Sequence, residues 1–372
     1  MKNYLNFESE IKNIESELDK LKDPYNNEGL STVDTNKINN LQSNLDKKLK
    51  DIYSNLDPWQ TTLVARHEDR PKSKFFIDNL FDNFFPLSGD RLFGEDKSSI
   101  AGLANFEGRS VLVIGQEKGD DLDTRIERNF GMMRPEGYRK SIRLMKIADK
   151  FGLPVIIFID TPGAYPGVGA EERGQAEAIA KSIECSLSLG VPTISIIVGE
   201  GGSGGAIALA SSNKILMFEN AIYSVISPEG CASILWRDPK KTLEAATAMK
   251  LTSKDLLELK VIDEIISEPR GGAHRDRDQI LITLKKTIAR SLGELTTMSR
   301  KDIIEHRKNK FLNIGRDKVL PNNILSSNEL FSDSVSKIFD VRKKIGGKKT
   351  YTILVIFLIG FFSLFMYQLF LK

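Results

Sequence analysis

Cysteine and histidine are both scarce in this chain, and each scarcity closes off a class of function. Cys185 and Cys231 are the only cysteines in 372 residues, and they lie far apart, outside any C-x-x-C spacing. That leaves neither a disulfide framework nor a zinc ribbon within the chain, implies a reducing compartment, and gives no metal site to expect. His67, His274 and His306 are the only histidines, so a serine hydrolase would have to recruit one of three residues remote in sequence. A strong charge of either sign is also missing. Lys and Arg number 53 against 50 Asp and Glu, a formal +3, without the basic bias of a dedicated nucleic-acid binder. The opening MKNYLNFESEIKNIESE has no apolar signal core, so export is not expected. What remains is ordinary globular composition, 41% hydrophobic, at a length suited to one large domain with appendages.

The most informative stretch is VGEGGSGGAIALA, Val198 to Ala210. A buried-strand run, Ile194 to Val198, enters the glycines Gly199, Gly201, Gly202, Gly204 and Gly205, and an apolar helix is expected from Ala206. Glycines in a strand-to-helix turn let a ligand approach bare backbone. The amides of Gly204, Gly205 and Ala206 are expected in the first helical turn, unpaired and at the positive end of the helix dipole. This suits an oxyanion, with Gly201, Gly202 and Ser203 completing the turn. Other readings stay open here. No Lys follows the glycines, as a phosphate loop requires. Gly199, Gly201 and Gly204 have the spacing of a dinucleotide fingerprint, and Gly201 to Gly205 formally fits G-x-S-x-G with Ser203 as nucleophile. The plain structural reading is a tight turn with close strand-to-helix packing.

Read in order, Leu5 to Leu21 and Ile38 to Leu56 carry apolar residues at helical spacing around a turn at 23–29, which predicts a helical hairpin over residues 1–57. From residue 58 the pattern becomes alternating strands and helices, an α/β domain expected over 58–318. Val111–Gly115 and Val155–Asp160 read as buried strands, with a helix over 137–151 between them. A second glycine-bearing turn, Thr161-Pro162-Gly163-Ala164-Tyr165 and onward to Ala170, leads into a helix expected over 173–189. Strands are expected at 214–218, 221–226 and 261–266, and helices at 253–260, capped by Thr252, and at 276–292. His274 reads as a surface or capping residue rather than a ligand. Lys250, in Ala248-Met249-Lys250-Leu251, superficially matches a biotin-attachment turn but follows an expected helix. Residues 319–350 form a polar and basic linker. Tyr351 to Leu371 then runs without a charge, and at about 1.5 Å per residue it reaches roughly 30 Å, enough for a transmembrane helix. Arg342, Lys343, Lys344, Lys348 and Lys349 precede it, so the large domain is expected on the cytoplasmic side of the inner membrane.

Five ordered stretches carry a family resemblance: RNFGMMRPEGYRK from Arg128, FIDTPGAYPGVGAEERGQ from Phe158, GEGGSGGA from Gly199, YSVISPEGCASILW from Tyr223 and EPRGGAHRD from Glu268. Together they closely resemble the bacterial acetyl-CoA carboxylase carboxyltransferase alpha subunits; the N-terminal helical pair, Leu63-Val64-Ala65-Arg66-His67 and Ser88-Gly89-Asp90-Arg91 are similar to them as well, so the resemblance spans residues 5–318. The resemblance implies a crotonase/ClpP-like fold of repeated ββα units and an α2β2 assembly with a beta subunit that carries the zinc ribbon. It implies carboxyl transfer from carboxybiotin, held on a separate biotin carboxyl carrier protein, to acetyl-CoA, giving malonyl-CoA for fatty-acid synthesis. ATP is then used only by a separate biotin carboxylase. It further implies that Gly204 and Gly205 form an anion hole for the acetyl enolate. The wall beside it is expected from Asp160 to Gly167, with Thr161, Pro162, Gly163, Ala164 and Tyr165 binding substrate, and the biotin ureido nitrogen is expected to take the proton without a protein base. Competing expectations are another crotonase-fold acyl-CoA enzyme and a non-catalytic membrane scaffold.

Overall fold

The computed structural model describes residues 3–22 and 35–316. The expected turn at 23–29, the linker at 319–350 and the apolar run at 351–371 lie outside them. Helices α1 (Ser9–Lys22) and α2 (Thr35–Ser54) pack through Ile11, Leu18, Leu45 and Leu49, which share one face at helical spacing. Arg275 fastens this pair, with Nη1 2.8 Å from Glu15 Oε1 and Nη2 3.0 Å from Glu8 Oε1. Helix α3 (Pro58–Ala65) starts at a reciprocal cap between Asp57 and Gln60, with proline at its first position. After α4 (Ser73–Leu80), strands β1 (Asp82–Pro86), β2 (Ser99–Phe106) and β3 (Arg109–Gln116) form an antiparallel meander.

Crossovers then make the sheet parallel. Helices α5 (Leu122–Glu127) and α6 (Pro135–Phe151) lead to β4 (Val155–Thr161), and α7 (Val168–Glu172) and α8 (Gln175–Ser188) lead to β5 (Thr193–Gly202). Helix α9 (Ser203–Ala210) follows without a loop, and then come β6 (Lys214–Phe218), β7 (Ile222–Ser224) and α10 (Pro228–Cys231). Helices α11 (Thr242–Met249) and α12 (Ser253–Glu258), strand β8 (Glu264–Ile266), and helices α13 (Arg277–Leu295) and α14 (Arg300–Asn313) complete the described chain. The sheet order is β1-β2-β3-β4-β5-β6-β8, with β7 paired to the end of β5. Every residue of β4 and β5 is buried, as parallel strands covered on both faces must be. Helices α6, α8 and α9 form one covering group, and α4 and α13 pack together as another. Strand–strand–helix successions occur at β2–β3–α5 and β6–β7–α10.

Several expected boundaries move for identifiable reasons. The helix expected over 173–189 starts at Gln175, because Gly174 takes a left-handed φ of 80°, and a separate short helix, α7, precedes it in the stretch read as a turn. The strand ending at Val198 instead runs to Gly202, and α9 begins at Ser203 rather than Ala206, since a single left-handed residue, Ser203 at φ 52°, makes the corner. Val261 and Ile262 are not in a strand; their amides turn back to the Leu256 carbonyl, and the ladder starts at Asp263. Ala221 closes a turn onto the Phe218 carbonyl, which shortens the next strand to β7.

Candidate active site

The carboxyl ends of β4 and β5 bring the two glycine-bearing segments into backbone contact. A Cβ added to Gly202 would lie 2.1 Å from the Pro162 carbonyl oxygen, and one on Gly205 would lie 2.5 Å from the Gly163 carbonyl carbon. These glycines permit close approach. Gly201 is confined by Tyr223, 3.0 Å from its added Cβ. Gly204 differs from all three, because its added Cβ would meet only Ile179, at 3.5 Å, an ordinary contact.

With Gly202 as the cap of α9, the first internal bond of the helix joins the Gly202 carbonyl to the Ala206 amide. The expectation that Ala206 offers a free N–H is therefore corrected: Gly204 and Gly205 precede the first paired amide and Ala206 supplies it. Gly205 is held in place by its own carbonyl, which accepts from Gln116 Nε2 at 2.8 Å. Across the contact, Thr161 Oγ1 accepts the Gly163 amide at 3.1 Å and donates to its carbonyl at 2.7 Å, so the Gly163 N–H is spent internally. Ala164 packs on the core. The Tyr165 amide donates to the Met133 carbonyl, Gln175 Nε2 donates to the Tyr165 carbonyl at 3.0 Å, and the Arg134 guanidinium stacks on the Tyr165 ring at 4.7 Å. The structure thus gathers Thr161 to Tyr165 and Gly201 to Gly205 at one sheet edge, where α/β folds place ligands.

Ser203 is exposed at a left-handed strand-to-helix corner, which is half of a nucleophile elbow. The other half is absent among the described residues, since no histidine hydrogen-bonds it. His67 Nδ1 accepts the Asp69 amide and its Nε2 meets the Asn3 carbonyl, while His306 Nδ1 meets Asn213. His274 is neither a surface residue nor a cap. It stacks on His67 with ring centroids 3.9 Å apart, and burial, then His67 and Arg70, push its pKa down to about 2. Lys250 closes α11 in a left-handed conformation and pairs with Asp255 at 3.3 Å. Among the described residues no group of three His, Cys, Asp or Glu is placed to hold a metal ion.

Beside the glycines lies a cleft of about 240 Å³ whose lining includes Arg66, Lys118, Arg125, Phe130, Asp160 and Glu200. Sequence reading passed over the ionic network on its floor. Lys118 Nζ lies 2.8 Å from Asp160 Oδ1 and 3.2 Å from Glu200 Oε2. Arg66 donates to Glu200 Oε1 through Nε at 2.9 Å and Nη2 at 2.7 Å, and through Nη1 to Glu229 Oε1 at 2.6 Å. Burial alone would lower Lys118, but Asp160 and Glu200 outweigh it and raise its pKa; burial alone would raise Glu200, but Lys118 and Arg66 outweigh it and lower it. Asp160 and Glu200 both stand inside segments that the sequence marks, and Arg66 stands in Leu63-Val64-Ala65-Arg66-His67, a further stretch of the resemblance, whereas Lys118 lies between the marked segments.

A family model described as acetyl co-enzyme A carboxylase carboxyltransferase-like matches residues 4–315. The chain is 75% identical over 324 residues, 87% of its own length and 88% of the relative's, to the acetyl-coenzyme A carboxylase carboxyl transferase subunit alpha of Pelagibacter ubique. It is 54% identical over 316 residues to the subunit of the same name from Zymomonas mobilis, covering 85% of this chain and all of that one. Among solved structures, transcarboxylase 12S with methylmalonyl-coenzyme A and methylmalonic acid bound is similar with a TM-score of 0.51 at 17% identity. That match covers 63% of this chain and 44% of the other, and it speaks to the fold.

Proposed function

The chain belongs to the family of acetyl-coenzyme A carboxylase carboxyltransferase alpha subunits, and on that premise we propose that the entrance of α9 is the anion hole of the carboxyl transfer. The reaction moves a carboxyl group to acetyl-CoA and gives malonyl-CoA for fatty-acid synthesis. Carboxybiotin, held on a separate carrier protein, supplies that group when bound, and a separate biotin carboxylase spends the ATP. Removing a methyl proton from the thioester puts negative charge on its oxygen. The Gly204 and Gly205 amides donate to that oxygen, at the positive end of α9. Donors fixed in a backbone need no reorganisation as charge develops, and one such donor is worth about 3 kcal/mol, roughly a hundredfold in rate.

The observation that carries this reading is at Gly204, where there is room for a side chain and none is present, beside amides that the helix does not use. Gly201, Gly202 and Ser203 form the rim, and Thr161 to Tyr165 form the facing wall. Ala206 closes the helix behind the hole. Acetyl-CoA binding is assigned to these residues, and no protein base is required, because the methyl proton would pass to the ureido nitrogen that gives up the carboxyl group.

The beta subunit is assigned to the exposed apolar residues Val225, Ile234, Leu235 and Trp236. They follow β7, which pairs with Glu200 to Gly202, so a partner seated there borders the hole. Among the described residues no helix is long and apolar enough to cross a membrane. The apolar run 351–371 lies outside them, and we assign it as a C-terminal anchor that holds the enzyme at the cytoplasmic face of the inner membrane. Co-expression with the beta subunit from the same genome tests the reaction and the anchor in one preparation. Malonyl-CoA formation with a carboxylated carrier is expected, along with recovery of the full chain in the membrane fraction until detergent is added. No turnover would overturn the carboxyl-transfer reading, and recovery without detergent would overturn the anchor.

A further inference from the structure

The β4–β5 ladder breaks just before the glycines. Ile159 pairs with Ile197 and Thr161 with Gly201, so Asp160 alone faces Val198, Gly199 and Glu200, a bulge at the end of β5. Side chains, not the ladder, satisfy this bulge. Arg70 Nε donates to the Val198 carbonyl at 2.7 Å, and Asp160 Oδ1 accepts the Glu200 amide at 3.0 Å. A Cβ on Gly199 would lie 2.7 Å from the same Asp160 oxygen, so the carboxylate is pressed against bare backbone. Lys118 Nζ holds that oxygen and reaches the Glu200 carboxylate as well. One ammonium therefore ties the last residues of β4 to the last residues of β5 at the point where the sheet has stopped doing so.

We propose that Lys118 is a positioning residue for carboxyl transfer, clasping Asp160 to Glu200 so that Gly201 to Gly205 stand in register against Pro162 and Gly163. The proposal rests on the reading of α9 as the anion hole. Without the ammonium, two carboxylates would face each other at the bulge. The other charged groups around them are Arg66, Glu68, Arg70 and Lys72 between α3 and α4, Glu117 after β3, Glu229 on α10, and Arg125 on α5 across the cleft; Arg70 is paired with Glu268 and Lys72 with Asp120. Arg66 already divides itself between Glu200 and Glu229, and Glu117 adds to the negative charge felt at Asp160. The carboxylates would repel, and the bulge would open by splaying the two site segments. Misplacement of about 1 Å at a reacting centre costs on the order of a hundredfold in rate.

The test uses the assembled alpha–beta enzyme. Lys118→Met keeps the alkyl stem, whose Cγ packs over Gly131, and removes only the charge. Its kcat is expected to fall about 10- to 100-fold with a smaller change in KM for acetyl-CoA. The deficit should shrink as pH is lowered, because Glu200, whose pKa Lys118 holds down in the wild type, takes up a proton more readily once the ammonium is gone and the repulsion is relieved. Adding Glu200→Gln to Lys118→Met should restore kcat and abolish that pH dependence, and hydrogen exchange over 199–205 should be faster in Lys118→Met than in the double variant. A wild-type kcat in Lys118→Met, or a loss indifferent to both pH and Glu200→Gln, would overturn the proposal. Unchanged exchange would do the same. A wrong assignment of the glycine amides would show separately, in variants at Gly204 that leave exchange over 199–205 unaltered.

Discussion

Gly202, Gly204 and Gly205 are glycine for different reasons, and only coordinates separate them. The spacing in VGEGGSGGA marks a turn built for backbone approach, but it cannot say which glycine touches backbone of the same chain and which faces outward. Gly202 and Gly205 are pressed on Pro162 and Gly163, so Gly205→Val would lose turnover through that collision whatever its amide does. The histidines were legible only as a count. Nothing in their spacing foretells that His67 and His274 stack, or that burial, then His67 and Arg70, hold His274 neutral with a pKa of about 2 against its ordinary 6.5. A depressed histidine makes the fold lose stability as pH falls below about 6.5, since the unfolded chain takes up a proton that the folded chain refuses. The slope is about 1.4 kcal/mol per pH unit for one such group. His274→Phe keeps a flat ring on His67 and removes the proton site. Denaturant unfolding should show wild type losing about 1.4 kcal/mol more than the variant between about pH 6 and pH 5. Parallel behaviour of the two proteins would contradict the assignment.

At the scale of elements, the α/β body was legible because β4 and β5 are continuous apolar runs and α6 and α8 are periodic. The interruptions were not. Gly174 sits in a helical pattern and nothing local shows that it turns left-handed, and the bulge in β5 is defined by its partner strand. The ionic clasp was invisible for the same reason, since Lys118 and Arg66 acquire meaning only when β3 and α3 end beside β4 and β5. The segment after β7 is marked in the sequence by its resemblance and by a helix entry at Ser227 to Gly230, where α10 begins, but its exposure is a structural finding: Val225 is 83% and Leu235 69% exposed. If this surface receives the beta subunit, Leu235→Lys should leave the alpha subunit's melting temperature unchanged, because an exposed position contributes little to folding. It should weaken association on the order of tenfold in sedimentation with the beta subunit. Undiminished association would place the interface elsewhere.

For the molecule as a whole, the sheet delivers two strand ends to one edge, side-chain charge holds them where the ladder lapses, and a helix dipole is left facing outward. The α/β class and the location of the glycine turn followed from the sequence. The division of labour within the turn did not, because it depends on contacts between segments some forty positions apart. The central claim is that a main-chain amide at the entrance of α9 carries the developing negative charge, and Gly204 tests it most directly. Gly204→Ala keeps the amide, fits with 3.5 Å to Ile179, and should stabilise α9 by about 0.5–1 kcal/mol. Gly204→Pro removes the N–H at a first-turn position where the helix makes no use of it. With both variants assembled on the beta subunit and melting like wild type, kcat for malonyl-CoA formation should stay within a few-fold for alanine and fall at least about a hundredfold for proline; a proline variant that turns over as fast as the alanine variant would contradict the account.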